Sequence, residues 1–302
     1  KNHIIGDRNN NKDLTKLRGI YHEQTHSVDL TYTGFGQAHN IAINEGSGYA
    51  YPTGIKEKGL HILNIKDPMN PVLELEYPEN GYSHDAQVIN YKGPDQNYHG
   101  KEIFIGSNED RVVLVDVTNK LEPKLLSVFN YDHQYTHQSW VTSDHKYILM
   151  GDEYDELNID FQLVNKTRTI IINIEDLENP KLHFNYLAKT DAIDHNGYVK
   201  GSNFYLASYT SGMRVIDILN IFNKNINEVG FFDTHNSTNP SNLAKSTSFK
   251  PLDPGDHDYK KGQNIKEFNG AWSVYPFFNS ENILVSDINS GLFIVRKSTN
   301  WF

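Results

Sequence analysis

One hydrophobic pattern recurs five times along this chain. Its most apolar part is a six-residue segment, found at 60–65, 112–117, 169–174, 213–218 and 292–297. Two shorter hydrophobic segments precede each copy. The segment nearer to it lies at 48–52, 102–106, 147–151, 203–208 and 283–287. The segment farther from it lies at 40–44, 85–90, 138–142, 196–200 and 271–277. A fourth follows a polar turn, as at 72–76, 124–129 and 181–186. No helical periodicity separates these segments, so the pattern predicts an all-β chain of repeated four-stranded sheets.

A β-propeller explains this pattern better than a β-sandwich does. Propeller blades are four-stranded sheets repeated around an axis, whereas a sandwich gives no reason for one apolar strand to recur. We predict five visible blades and a partial first blade over 1–33, in a single domain of residues 1–302. Because the chain opens in what reads as the middle of a strand, we expect a leader and further sequence upstream, and six or seven blades in the complete protein. Residues 236–266 are predicted to form a long polar insertion in the fourth unit.

Composition excludes several classes of function. The net charge of -10 argues against nucleic-acid binding, which needs a basic face for the phosphates. The chain has no cysteine, so disulfides, thiolate nucleophiles and cysteine-ligated zinc are excluded. No segment of the sequence is long and apolar enough to predict a transmembrane helix.

Histidine opens four of the five units, at His39, His84, His137 and His195. In a propeller the first strand of each blade lines the central channel, so equivalent positions in different blades form a ring. The loop after the second strand returns to the same face, and these loops carry Glu109, Asp152, Glu153, Tyr209 and Asp287. The sequence therefore predicts imidazoles and carboxylates around one mouth of the channel.

This ring suggests a metal site. Imidazole with carboxylate suits zinc, copper, iron or manganese, while carboxylates and amides without imidazole suit calcium. The candidate metal ligands are His84, His137, His195, Glu153, Asp152 and His39. Candidates for binding a ligand at the same mouth are Asp85, Asn196, Asp194, Glu109, Asp287 and Tyr209. The alternative is that each histidine caps its strand as a repeat signature, and the sequence assigns no catalytic residue.

The apolar strands resemble the LVIVD repeats of the choice-of-anchor B family of bacterial β-propellers. The strings that open the units share this resemblance, which extends over most of 34–297: Ala38-His39-Asn40, Ser83-His84-Asp85-Ala86-Gln87, Ile193-Asp194-His195-Asn196 and Phe268-Asn269-Gly270-Ala271-Trp272. The resemblance implies an exported protein, either secreted or at the cell surface. It implies no reaction.

Three functions are compatible with these observations. The interpretation we favour is an extracytoplasmic binding or scaffold module within a surface protein assembly, because the propeller fold by itself specifies no activity. A binding module of this kind would have other surface or outer-membrane proteins as partners. A metal-dependent oxidoreductase or hydrolase at the ring of histidines is the first alternative. A propeller with a purely structural metal in its channel is the second. An open coordination position would favour the enzyme, and a saturated one would favour the structural ion.

Overall fold

Each predicted repeat folds into an antiparallel sheet whose strands are hydrogen-bonded in chain order. The computed structural model describes residues 30–55, 59–157, 166–235 and 267–297. Within these ranges four sheets have four strands and the last has three, and the prediction of an all-β propeller is confirmed. The predicted partial blade lies outside the described residues except for 30–33, and the predicted insertion at 236–266 lies outside them entirely.

The strands follow the predicted segments closely. Blade 1 contains β1 (Asn40–Asn44), β2 (Tyr49–Thr53), β3 (Leu60–Asn64) and β4 (Val72–Tyr77), and blade 2 contains β5 (Asp85–Asn90), β6 (Glu102–Ser107), β7 (Arg111–Asp116) and β8 (Lys124–Asn130). Blade 3 contains β9 (Thr136–Val141), β10 (Tyr147–Asp152), β11 (Arg168–Asn173) and β12 (Lys181–Leu187). Blade 4 contains β13 (Gly197–Lys200), β14 (Asn203–Ala207), β15 (Met213–Asn220) and β16 (Asn225–Phe232), and blade 5 contains β17 (Ala271–Tyr275), β18 (Asn282–Asp287) and β19 (Gly291–Arg296).

Short 3₁₀ turns complete the regular structure, at Pro78–Asn80, Asp155–Leu157 and Ile221–Asn223. No helix in the described ranges has the length and apolar character that a membrane span would require.

Aspartate stabilises the turn after the apolar strand in a repeated way. In blade 1 the Asp67 carboxylate accepts the backbone N–H of Met69 at 3.0 Å and the side-chain N–H of Asn70 at 2.7 Å. In blade 3 Asp176 accepts the N–H of Glu178 at 3.0 Å in the same manner. Aspartate favours such turns because its short carboxylate reaches the backbone two residues further on. The polar turn of the repeat thus ends one strand and starts the next.

The hydrophobic core lies between the faces of neighbouring blades. Ile103 and Ile105 of blade 2 pack in one cluster with Ile148 and Met150 of blade 3, and all four are buried. The first strands of successive blades also contact one another, β1 with β5, β5 with β9, β9 with β13, and β13 with β17. Buried aliphatic side chains therefore hold the blades face to face, and this packing brings the first strands together along the channel.

Candidate metal centre in the channel

One aromatic side chain from each blade reaches the channel, and these five rings form a continuous row. They are His39, His84, His137, His195 and Trp272, with successive ring centroids 4.1, 4.6, 4.2 and 4.2 Å apart. The structure thus brings together the four histidines that open the repeats. In blade 5 the corresponding position is tryptophan.

Local backbone geometry places these rings. In blades 1, 2 and 4 the histidine precedes the first strand, and its N–H donates to the last residue of the second strand, as from His84 to Ser107 at 2.7 Å. In blade 3 the β9–β10 pairing runs from Gln138 opposite Gly151 to Thr136 opposite Asp152, which leaves His137 as the extra residue of a β-bulge. Such bulges redirect a side chain, and this one extends β9 two residues before its predicted start.

Three buried residues offer ligand atoms that lie within 4.8 Å of one another: His137, Glu153 and His195. The Nε2 atom of His137 lies 3.7 Å from Glu153 Oε2, and the Nε2 atom of His195 lies 3.7 Å from Glu153 Oε1. Their side chains are 3%, 9% and 3% exposed. One carboxylate therefore bridges imidazoles from blades 3 and 4, and this group can hold a metal ion.

Hydrogen bonds orient two imidazoles with a free Nε2 lone pair. His195 Nδ1 lies 2.6 Å from the backbone carbonyl of Trp272, which can only accept, so the proton is on Nδ1. Tyr135 donates its hydroxyl proton to Glu109 at 3.0 Å and so accepts the Nδ1 proton of His84 at 2.9 Å. In metal sites the ligating histidine is held in this way, since the distal N–H bond fixes the tautomer and leaves the other nitrogen free.

Burial keeps the imidazoles neutral, which is the form that binds a metal. Desolvation lowers the pKa of His84 and of His195 to about 3, and the pKa of His137 falls well below its ordinary value for the same reason. Desolvation raises the pKa of Glu153 to about 7, although the Tyr209 hydroxyl donates to its carboxylate at 2.6 Å. A bound dication would favour the charged carboxylate and relieve this cost.

Two of the other predicted candidates support the centre, one directly and one through Tyr135. The Tyr209 hydroxyl donates a hydrogen bond to Glu153. Glu109 accepts a hydrogen bond from the Tyr135 hydroxyl, which in turn orients His84. His39 is the first ring of the aromatic row and is exposed. These residues position the metal-binding group or border it.

Four of the five remaining candidates are engaged elsewhere. Asp152 accepts two backbone N–H groups and the Tyr131 hydroxyl, at 2.6 to 2.8 Å, so it organises the approach to β9. Asp287 accepts the N–H groups of the β18–β19 turn. Asp85 accepts its neighbour's N–H at 2.6 Å, and Asn196 lies 3.5 Å from the Ser273 hydroxyl. Asp194 is buried, with no hydrogen bond to either carboxylate oxygen within the described residues.

The sequence did not predict the role of two residues of the site. Trp272 received no role in the ring, although its place in the fifth unit matches that of the histidines in the other four. Tyr135 precedes His137 by two residues and reaches a histidine of the neighbouring blade. The first could have been found by strict alignment of the units. The second could not, because the contact depends on how blades 2 and 3 pack.

No protein-family model matches this chain, and no curated protein matches it. Among solved structures, the chain is similar to the crystal structure of a protein from Lactobacillus plantarum. The TM-score is 0.53 at 11% sequence identity, over 86% of this chain and 70% of that one. At that identity the likeness supports the fold alone, so membership of the choice-of-anchor B family stays a prediction. The chain is a β-propeller with a buried His/Glu group that can hold a metal ion.

Proposed function

We propose that this chain is an extracytoplasmic binding propeller of the choice-of-anchor B type, whose channel holds one divalent transition-metal ion. The observation that supports a metal site is the group formed by His137, Glu153 and His195. The repeat strings support an exported module that binds other surface proteins. In this proposal the ion joins blade 3 to blade 4 and keeps the binding faces of the propeller rigid.

The spacing of the three residues suits an ion after a small adjustment. With metal–ligand bonds near 2.1 Å, tetrahedral ligand atoms lie about 3.4 Å apart. The two imidazole nitrogens stand 3.7 Å from different oxygens of Glu153, and with one ligand atom per residue the three atoms lie within 4.8 Å of one another, so the side chains must move closer together around the ion. Two imidazoles and one carboxylate suit zinc, iron, copper or manganese better than calcium, which prefers oxygen alone.

His84 is the fourth ligand in this proposal. Its Nε2 atom is buried and has no hydrogen-bond partner within the described ranges, while Nδ1 is held by Tyr135. Its ring centroid lies 4.6 Å from that of His137, but His84 is outside the group whose ligand atoms are all within 4.8 Å of one another, so the ring must move toward the ion to bind it. A set of three imidazoles and one carboxylate would saturate a tetrahedral ion, which is the arrangement of structural sites.

Elemental analysis of the purified protein tests the proposal. We expect about one transition-metal ion per chain, as one tetrahedral site requires. The double variant His137→Ala/His195→Ala should lose it, while the matched control His99→Ala/His133→Ala, which changes two exposed histidines, should keep it. If wild-type protein stays metal-free after stripping and reloading with zinc, iron, copper and manganese, the proposed centre is wrong.

A metal-dependent enzyme is the second candidate, and the three-residue group favours it because catalytic sites keep an open position. Cobalt(II) substitution separates the two. We expect added azide to leave the visible spectrum of the cobalt-substituted wild-type protein unchanged. Azide should change the spectrum of the cobalt-substituted His84→Ala variant, because that substitution opens a coordination position on the metal. A wild-type spectrum that responds to azide would contradict the saturated shell and direct attention to hydrolase and oxidoreductase assays.

A further inference from the structure

Blade 5 is linked to two of the three residues of the metal-binding group, although that group belongs to blades 3 and 4. The backbone carbonyl of Trp272, the second residue of β17, accepts the Nδ1 proton of His195 at 2.6 Å. The other link passes through Tyr209, which lies between β14 and β15 and donates its hydroxyl proton to Glu153 Oε1 at 2.6 Å. The geometry of the centre therefore depends on a blade that supplies none of its ligand atoms.

The backbone of Tyr209 is held by the start of β17. Tyr209 and Ala271 form an isolated β-bridge, in which the Tyr209 carbonyl accepts the Ala271 N–H at 2.9 Å. A Cβ atom placed on Gly270 would lie 2.3 Å from the same carbonyl oxygen, so this close approach requires glycine. The Gly270 carbonyl in turn accepts the N–H of Ile288, the residue after β18, at 2.9 Å. Tyr209 is thus joined backbone to backbone with blade 5.

Tyr209 also has an unusual backbone conformation. Its φ is 23°, in the left-handed region that a bulky residue seldom adopts. Such conformations persist only where the surrounding contacts impose them, and they concentrate at binding sites. Here the buried ring lies between His195 and Trp272, with centroid distances of 5.3 and 5.9 Å, and its hydroxyl reaches Glu153. The strained backbone therefore directs one hydroxyl to a residue of the metal-binding group.

The bond from this hydroxyl matters for metal binding because it orients the carboxylate before an ion arrives. A side chain that is free to rotate must be ordered when it binds, and that ordering weakens the affinity. Hydrogen-bond partners of metal ligands typically change the affinity by about 10- to 100-fold. The Trp272 carbonyl acts in the same way on His195, since it fixes the tautomer with Nε2 free.

We propose that Tyr209 is a positioning residue, through which metal binding and the docking of blade 5 on blade 4 strengthen each other. This inference rests on the proposed metal centre. When blade 5 is docked, Gly270 and Ala271 hold Tyr209 in place and Trp272 holds His195, so the ligands are oriented for the ion. Coupling between two binding equilibria is reciprocal, so the bound ion strengthens the docking of blade 5 by the same factor.

Zinc titration of metal-free protein tests the role of the Tyr209 hydroxyl. The variant Tyr209→Phe keeps the ring, and we expect at least a tenfold rise in the Kd for zinc with about one ion still bound per chain. The matched control Tyr205→Phe alters a half-buried tyrosine of β14 and should bind zinc like the wild type. Equal affinity in Tyr209→Phe and wild type would overturn this inference and leave the metal centre intact. Wild-type protein that takes up no zinc would contradict the centre itself.

Hydrogen exchange of the wild-type protein tests the coupling without any variant. We expect zinc to slow amide exchange in 267–275 about tenfold, because the Ala271 N–H bonded to Tyr209 is exposed only when blade 5 separates from blade 4. Strands β3 and β4 of blade 1 are the internal control and should exchange at an unchanged rate. In Tyr209→Phe at saturating zinc, the protection of 267–275 should shrink.

Two results of the exchange experiment would overturn the inference. Protection confined to blades 3 and 4 would show that the ion does not act on blade 5. Equal slowing in β3 and β4 would show that the ion stabilises the whole fold and does not act through Tyr209.

Discussion

Removing the channel metal is expected to lower the free energy of unfolding by about 4 kcal/mol, the value for an ion present at a thousand times its Kd. The physical reason is that the ion binds the folded channel, where His137 and Glu153 of blade 3 meet His195 of blade 4, and not the unfolded chain. The stability of the propeller then contains the binding free energy of the ion. Urea unfolding of metal-replete and chelator-treated protein measures the difference as a shift of the midpoint at constant slope.

Two double variants test whether the loss of stability on metal removal comes from the histidine centre. The double variant His137→Ala/His195→Ala should unfold at the same urea concentration with and without chelator, because it has no ion to lose. The variant His99→Ala/His133→Ala, which alters exposed histidines, should respond to chelator like the wild type. An equal chelator shift in the first variant would show that the stabilising ion binds elsewhere.

In protein stripped of all metal, Glu156→Gln is expected to stabilise the fold at neutral pH. Desolvation raises the pKa of Glu156 well above its ordinary value, and the nearby Asp194 and Asp155 carboxylates raise it further. The folded state then binds a proton that the unfolded chain has released. The stability contribution is present below the unfolded pKa, near 4.5, and is lost as the pH rises toward the folded pKa, by about 1.4 kcal/mol per pH unit. Glutamine resembles the protonated acid and removes this loss.

Urea unfolding between pH 4 and pH 8 measures this difference. The variant should match the wild type near pH 4 and exceed it increasingly as the pH rises. Glu79→Gln, at an exposed carboxylate, is the control and should show no such divergence. Parallel stability curves for wild type and variant would contradict the raised pKa of Glu156.

The architecture was readable from the sequence because blade structure is local and repeated. In blades 1 and 3 the apolar strand is followed by a turn whose Asp side chain accepts a backbone N–H two residues further on, so the four-strand unit can be recognised one copy at a time. The convergence of the histidines was also predictable, since equivalent positions of repeated units must meet around an axis. Hydrophobic alternation and turn chemistry determine these features without reference to distant residues.

Tertiary structure alone decided which side chains form the site. Asp152 and Glu153 are neighbours with similar chemistry, yet the first binds backbone N–H groups and the second bridges two imidazoles. The bulge that places His137 depends on the register between β9 and β10, which no local pattern reports.

The same is true of contacts between blades. The Tyr135 bond that orients His84 joins two blades, and so does the electrostatic interaction of Asp194 with Asp155. The sequence alone therefore determined the propeller and the ring of histidines in its channel. Side-chain direction at strand ends follows the packing of neighbouring blades, so the choice of metal ligands belongs to the folded chain.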